Sequence, residues 1–370
     1  MHKTVWAGTL LSLCLEQAAF AQMTITAPLD YSSNAITLYG NMDIGPTYVS
    51  NVGGKRKFYL DSSVSKADRF GILGREYLGS GMSAVFRLET EYFMNGSFQL
   101  NGSKNPGFTG QDFVGISSKD WGTVTLGRQF GVINDVASFS TIVYGSIYSS
   151  HHAAADLTGK DSNNSIKYQS PAVNGLRFTT LYGFSDPDNS LGRAIQAGIT
   201  YAYGNFAAAV AYQQVANITE SPYAGFSVTR FLGMPVTATS PSVVINRLTV
   251  YGVGAGYQIG PVRLVGEFAD MTLKKGDSLA SMPTYDIGAV IKFGPATTVG
   301  IGAERSTLGS ACWTQYSLGA YYALSKTTLL DAFLVFNRAS GTAAFAREET
   351  VGNSSSKQQL VAHFGILKYF

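Results

Sequence analysis

Met82-Ser-Ala-Val-Phe-Arg-Leu-Glu-Thr-Glu-Tyr92 places Ala84, Phe86 and Leu88 at even positions and Arg87, Glu89 and Glu91 at odd ones. Successive side chains on a strand point to opposite faces, so this stretch reads as a strand with one apolar and one charged face. Two later stretches repeat the pattern. Val262, Leu264 and Phe268 alternate with Arg263 and Glu267, while Tyr285, Ile287, Ala289, Ile291 and Phe293 alternate with Asp286 and Lys292. Working outward, period-two spacing continues from Ala35 to the C-terminus, and no comparable length shows helical spacing. It predicts sixteen strands, near 35–49, 65–77, 82–92, 111–117, 121–131, 163–170, 176–184, 194–203, 206–214, 246–259, 262–271, 284–293, 298–307, 315–323, 327–337 and 360–370.

The connections alternate between two classes. Tight turns such as Gly204-Asn205, Gly260-Pro261, Gly294-Pro295 and Ser325-Lys326 are separated by longer segments rich in Ser, Asn, Gly and Thr. An up-and-down barrel with one smooth and one looped rim produces this alternation, because every second hairpin returns at the same edge. A two-sheet sandwich does not. An even strand number also closes the sheet and leaves no unpaired edge in lipid. In a soluble barrel the apolar face would point inward, yet sixteen strands enclose an interior wider than side chains can fill. The expected fold class is therefore all-β, a 16-stranded antiparallel transmembrane β-barrel with apolar residues outside and a wet, charged lumen. Tyr201, Tyr203, Tyr257, Phe293, Tyr369 and Phe370, near strand ends, fit interfacial girdles.

Composition agrees. Of 370 residues only 14% are charged, against about 25% in a soluble domain. Spanning helices need runs of roughly 20 apolar residues, and beyond the first two dozen positions polar residues or Gly interrupt every apolar stretch. Disorder is excluded by 45% hydrophobic content with a net charge of only +3. The chain opens with a basic Met1-His2-Lys3, an apolar Val5 to Leu15 and the small-x-small Ala19-Phe20-Ala21, the pattern of an export leader cleaved after Ala21. The expected organisation is a leader over 1–21, a short N-terminal segment over 22–34, and a barrel over 35–370. After cleavage Cys312 is the only cysteine, so no intramolecular disulfide can form.

Several motifs together resemble a known family. Thr37-Leu-Tyr-Gly40, Asp68-Arg-Phe-Gly-Ile-Leu-Gly-Arg-Glu-Tyr-Leu-Gly-Ser-Gly81, Trp121-Gly-Thr-Val-Thr-Leu-Gly-Arg-Gln129, Asn164-Ser-Ile-Lys-Tyr-Gln-Ser-Pro171 and the terminal Phe370 resemble, in order, the general diffusion porins of Gram-negative outer membranes, in their β-proteobacterial branch. The resemblance implies a homotrimer with short periplasmic turns, long extracellular loops and an inward-folded third loop, here near 132–159. It also implies selectivity set by basic wall residues facing acidic loop residues. Arg69 matches a wall arginine and Lys160 sits where another basic residue occurs. A further family arginine is replaced by Gly110-Gln111-Asp112, and Arg87, of lumen parity, is the candidate to compensate. The family's Pro-Glu turn is absent from Ile142 to Tyr148, leaving Asp135 and Asp156 as the acidic candidates. Arg128 has the opposite parity and is expected at a subunit contact. Phe364, Ile366 and Phe370 share one face of the last strand and resemble the signal read by the outer-membrane barrel assembly machinery. The remaining implied partners are outer-membrane lipid and lipopolysaccharide, and small hydrophilic solutes and ions.

Other chemistry is sparse. His151-His152 with Asp156 lacks a third closely spaced imidazole or thiolate, so no metal is expected there, and no cofactor is expected. His363 has no partner evident in the sequence for nucleophilic catalysis, so no enzyme is expected. Gly252-Val-Gly-Ala-Gly256 lies inside a strand pattern with no following helix and reads as wall glycines rather than a phosphate loop. Lys55-Arg-Lys57 is too short a basic run for nucleic acid. The expected function is a water-filled channel for passive diffusion. A substrate-specific pore, and a structural or surface-interaction barrel with an incidental pore, remain alternatives.

Overall fold

The computed structural model describes residues 34–95, 99–100, 108–140, 161–185, 192–348 and 351–370. The expected leader, nearly all of 22–34, Lys160, Asp156 and the pair His151-His152 lie outside the described residues. Sixteen strands form the wall: β1 (Ala35–Val52), β2 in two pieces (Lys55–Ser62 and Asp68–Gly79), β3 (Met82–Phe93), β4 (Asp112–Ser118), β5 (Gly122–Gln129), β6 (Ser162–Gln169), β7 (Leu176–Gly183) and β8 (Ala194–Tyr203), then β9 (Phe206–Glu220), β10 (Val243–Ile259), β11 (Val262–Lys275), β12 (Ser278–Phe293), β13 (Thr297–Leu308), β14 (Ala311–Ser325), β15 (Thr328–Gly341) and β16 (Gln358–Tyr369). Each pairs antiparallel with the next, and β16 returns to β1 in a register from Asn41↔Tyr369 to Val49↔Val361, closing the barrel. No helix among the described residues is long and apolar enough to cross a membrane.

The faces follow the alternation. In β3 Arg87 and Glu89 are buried inside the barrel; in β12 Tyr285, Ile287 and Phe293 stand 58%, 69% and 59% exposed outside while Asp286 is buried inside. Tyr203, Tyr257, Phe293 and Phe370 are exposed on the outer surface, as girdle residues should be. Tyr369 is not one of them. Its odd parity on β16 turns it into the lumen, where the Lys66 ammonium lies 5.9 Å from its ring centroid.

One rim differs from the sequence expectation. Three connections read as long loops are two-residue hairpins at the tips of extended strands: Gly53-Gly54, Gly276-Asp277 and Gly309-Ser310, flanked by the pairs Val52↔Lys55, Lys275↔Ser278 and Leu308↔Ala311. Gly53, Gly54, Gly276 and Gly309 all have positive φ, as such turns require. The strands thus continue well past the ~9–11 residues that cross a bilayer; β10 has 17 and β12 has 16.

Three segments fold inward. The first is the third-loop segment, whose single helical turn α1 (Asn134–Ala137) lies against the inner wall. The second is the interruption of β2 at residues 63–67, described below. The third is the loop after β9, with α2 (Pro222–Phe226), which buries Phe226 and Phe231, stacked at 5.5 Å, against Ile245, Leu248, Leu273 and Trp313. It meets the last loop where Ala344 N donates to Ser227 O (2.7 Å) and Trp313 Nε1 to Phe345 O (3.3 Å). The lumen is therefore not charged throughout, as the sequence suggested. Beyond the bilayer, inward apolar positions of β10, β11 and β14 are covered by loops, which is where their burial comes from.

Candidate functional site

The third loop enters the barrel after β5 on a series of polar contacts. Lys167 Nζ donates to Phe130 O (3.1 Å), Val132 N to Gln196 Oε1 (2.6 Å), and Gln196 Nε2 to Ser162 Oγ (2.9 Å). Val132, Ile133, Val136 and Phe139 then recur at helical spacing and are buried, while Asp135 and Ser138 occupy the other side of the turn. Their seat is made of absent side chains. A Cβ on Gly198 would lie 2.6 Å from Val132 Cγ1; on Gly252, 3.0 Å from Val136 Cγ1; on Gly254, 2.7 Å from Phe139 Cδ2. Ala209 and Ala211 of β9 complete it. The glycines inside the β10 strand pattern are thus the berth of the loop, and each side chain of this size placed there gains roughly 1.5–3 kcal/mol from burial. The segment ends, within the described residues, with Ser140 Oγ donating to Asp286 Oδ2 at 3.2 Å.

Opposite this berth lies a cavity of about 490 Å³ whose charged lining comprises Lys66, Arg69, Arg87, Glu89, Asp135 and Lys167. Three of the residues singled out from the sequence, Arg69, Arg87 and Asp135, are therefore brought together. Arg69 pairs with two carboxylates on its own wall, Glu89 (3.4 Å) and Glu91 (3.2 Å), rather than with the loop. Tyr39 Oη donates to Glu89 Oε2 at 2.6 Å, and the Arg87 guanidinium lies 5.7 Å from the Tyr39 ring centroid. Burial pushes the Asp135 carboxyl above its ordinary range, while the charges of Lys167 and Arg177 oppose that shift. Lys66, Lys167 and Arg177 were missed. Lys167 was readable, since it alternates in phase with the inward Ser165, whereas Lys66 depends on the interruption of β2.

Across the lumen, Glu267, Asp286 and Glu304 are direct neighbours on β11, β12 and β13, all inward and 6–8% exposed. Among the described residues, the carboxylates opposite the basic wall are thus these three on the far wall, behind the loop segment, together with Asp135 on the loop itself. Arg128, expected at a subunit contact, is engaged within its own chain. It ion-pairs with Asp161 (2.7 Å) and donates to Asn163 Oδ1 and to the carbonyls of Thr109 and Gly110, joining the second loop to the return of the third.

The C-terminal group also has a defined place. Phe364, Ile366 and Phe370 lie on the outer face. Gly40 N donates to Phe370 O (3.0 Å) and Phe370 N to Gly40 O (3.1 Å), and the terminal ring covers the Cα of Gly40.

A closed sixteen-stranded barrel with a lipid-facing apolar exterior, a partly charged interior and loop segments laid against its inner wall defines a transmembrane channel of the outer-membrane type. The model of the Gram-negative porin family matches residues 11–342, and the chain belongs to that family. An outer membrane porin protein of Bordetella pertussis is 26% identical over 90% of this chain and 93% of its own length; outer membrane porin protein 32 of Delftia acidovorans is 25% identical over 82% and 84%. Among solved structures, the anion-selective porin from Comamonas acidovorans superposes with a TM-score of 0.75 at 22% identity, covering 91% of this chain and all of that one. OmpT of Vibrio cholerae in its trimer form gives 0.65 at 11% identity, over 92% of this chain and all of that one. The protein is thus an outer-membrane channel through which ions and small hydrophilic solutes diffuse passively.

Proposed function

We propose that the channel is a homotrimeric, non-enzymatic diffusion pore that favours anions. The cavity opposite the loop berth carries this reading: among the described residues its lining sets four cationic side chains, Lys66, Arg69, Arg87 and Lys167, against two carboxylates, Glu89 and Asp135. A unit charge about 5 Å from a passing ion is worth ~0.8 kcal/mol at the dielectric of water, roughly fourfold in relative permeability. The acidic row on β11–β13 at the opposite wall adds a transverse field that orients dipolar solutes. That the Comamonas relative is described as anion-selective supports the same direction. Export with removal of residues 1–21, assembly directed by Phe364, Ile366 and Phe370, and contact with lipopolysaccharide and the barrel assembly machinery belong to the same proposal. So do contributions from Lys160 and Asp156 at the narrowest point.

The test is the zero-current potential in a tenfold KCl gradient across planar bilayers. The native trimer is expected to show an anion-favouring sign. Arg69→Gln combined with Arg87→Gln removes two cations, including the guanidinium that pairs with Glu89 and Glu91, so the ratio should move toward cations by about an order of magnitude. A cation-favouring native channel, or an unmoved potential in the double variant, would refute the assignment.

A further inference from the structure

Where the barrel closes, three side chains far apart in sequence meet on the inner face. Asp43 of β1, Asp331 of β15 and His363 of β16 are 0%, 1% and 4% exposed. One ligand-capable atom from each lies within 4.8 Å of the other two. The β15–β16 pairing sets Asp331 beside His363 and the β16–β1 closure adds Asp43, so no local spacing announces the cluster.

The donor set is unusually placed for a purely structural polar group. Asp43 Oδ2 accepts the backbone N–H of Ser65 and of Lys66 (3.1 Å), yet its Oδ1 and both carboxylate oxygens of Asp331 accept no hydrogen bond. Two buried carboxylates side by side are costly unless a positive charge lies between them. His363 Nδ1 contacts Thr47 Oγ1 at 2.7 Å, which fixes the ring and aims Nε2 at Asp331 Oδ1, 3.4 Å away. A hydroxyl on one ring nitrogen with the other directed into a carboxylate cluster is how metal-bound imidazoles are oriented. Room is kept by Gly365: a Cβ there would lie 2.5 Å from His363 Nε2 and 3.0 Å from Asp331 Oδ1.

We propose that Asp43, Asp331 and His363 form a site for a divalent transition-metal ion of the Zn²⁺ type, which joins the first and last strands of the barrel. The two carboxylate oxygens and one imidazole nitrogen match Zn²⁺ ligation. The nitrogen disfavours Mg²⁺ and Ca²⁺, which take oxygen sets. The inward segment 63–67 covers the site, so an ion held by Asp43 also fixes the segment that carries Lys66.

The experiment uses the full-length porin purified from outer membranes, stripped with EDTA and carrying His151→Ala and His152→Ala so that the loop histidines cannot contribute. Titration with ZnCl₂ by calorimetry, with metal analysis after gel filtration, is expected to give one saturable Zn²⁺ per chain. Asp331→Asn and His363→Gln should each weaken it at least 100-fold, and Thr47→Val, which removes only the ring's partner, 10- to 100-fold. Mg²⁺ and Ca²⁺ should not compete at equal concentration. Absence of saturable binding in the parent protein overturns the proposal without reliance on any variant. Undiminished binding in folded Asp331→Asn and His363→Gln overturns it as well.

Discussion

Two segments narrow this barrel from opposite sides, and they are attached by different physics. The third-loop segment rests on the inner faces of β8–β11 through apolar side chains set into positions where the wall has glycine or alanine. The interruption of β2 is attached through polar groups. Ser63 takes a positive φ of 62° and its Oγ accepts Asp68 N (3.0 Å), Asp43 receives the N–H groups of Ser65 and Lys66, and Asp68 Oδ1 accepts Asp43 N (2.5 Å). Ser65 Oγ reaches the Tyr321 hydroxyl on β14 at 2.9 Å, and only Val64 packs into an apolar cluster, with Val49, Phe333 and Val361. A berth of missing side chains is intolerant of added volume. An anchorage of carboxylates is intolerant of lost acceptors.

Substitutions can break the comparison in order of expected effect. Gly254→Val should change conductance the most, since the added carbons collide with Phe139 and with the carbonyl of Val136. Overpacking of this kind costs ~1–3 kcal/mol and is expected to lift the loop off the wall, giving lower and noisier single-channel conductance in bilayers. Asp43→Ala should follow, because two N–H groups lose their acceptor at ~1–3 kcal/mol each. The expected readout is a lower unfolding midpoint in urea, with the third loop's contribution to conductance retained. If Asp43→Ala altered conductance as Gly254→Val does, the two attachments would not be independent. Gly252→Ala should be the mildest. Its Cβ would meet Val136 Cγ1 at 3.0 Å and Phe268 O at 3.3 Å, a crowding that a few tenths of an ångström relieves, so conductance should stay within error of the native channel.

Much of this architecture is visible in the sequence because alternation is a local property. The strand number, the inverted faces and the inward side of Arg69, Arg87 and Glu89 follow from parity alone. The extended hairpins were also legible in principle: Gly276-Asp277 and Gly309-Ser310 carry the same signature as the Gly204-Asn205 turn. The polar residues that flank them, on strand ends beyond the bilayer, have the composition of loops. The 55–62 piece of β2 was lost for the same reason, behind Lys55-Arg-Lys57. Other features were beyond local reading. Gly252 and Gly254 mean a loop berth only once residues 132–139 are laid across them, and Asp43 joins Asp331 and His363 only when the first strand meets the last. Tyr369 lies near a strand end as girdle aromatics do, but its odd position, in phase with His363, is what decides its inward face.

The Gly40–Phe370 pairing has a consequence for biogenesis. It lies at one end of the seam between the first and last strands, and closing a loop of roughly 330 residues costs about 5 kcal/mol in chain entropy before any contact offsets it. No other strand pair of the wall spans so much sequence, and the register from Asn41↔Tyr369 to Val49↔Val361 is what offsets the cost. The contact between first and last strands is therefore the slowest of the wall to form, and the two Gly40 hydrogen bonds lengthen by one pair the ladder that must hold it.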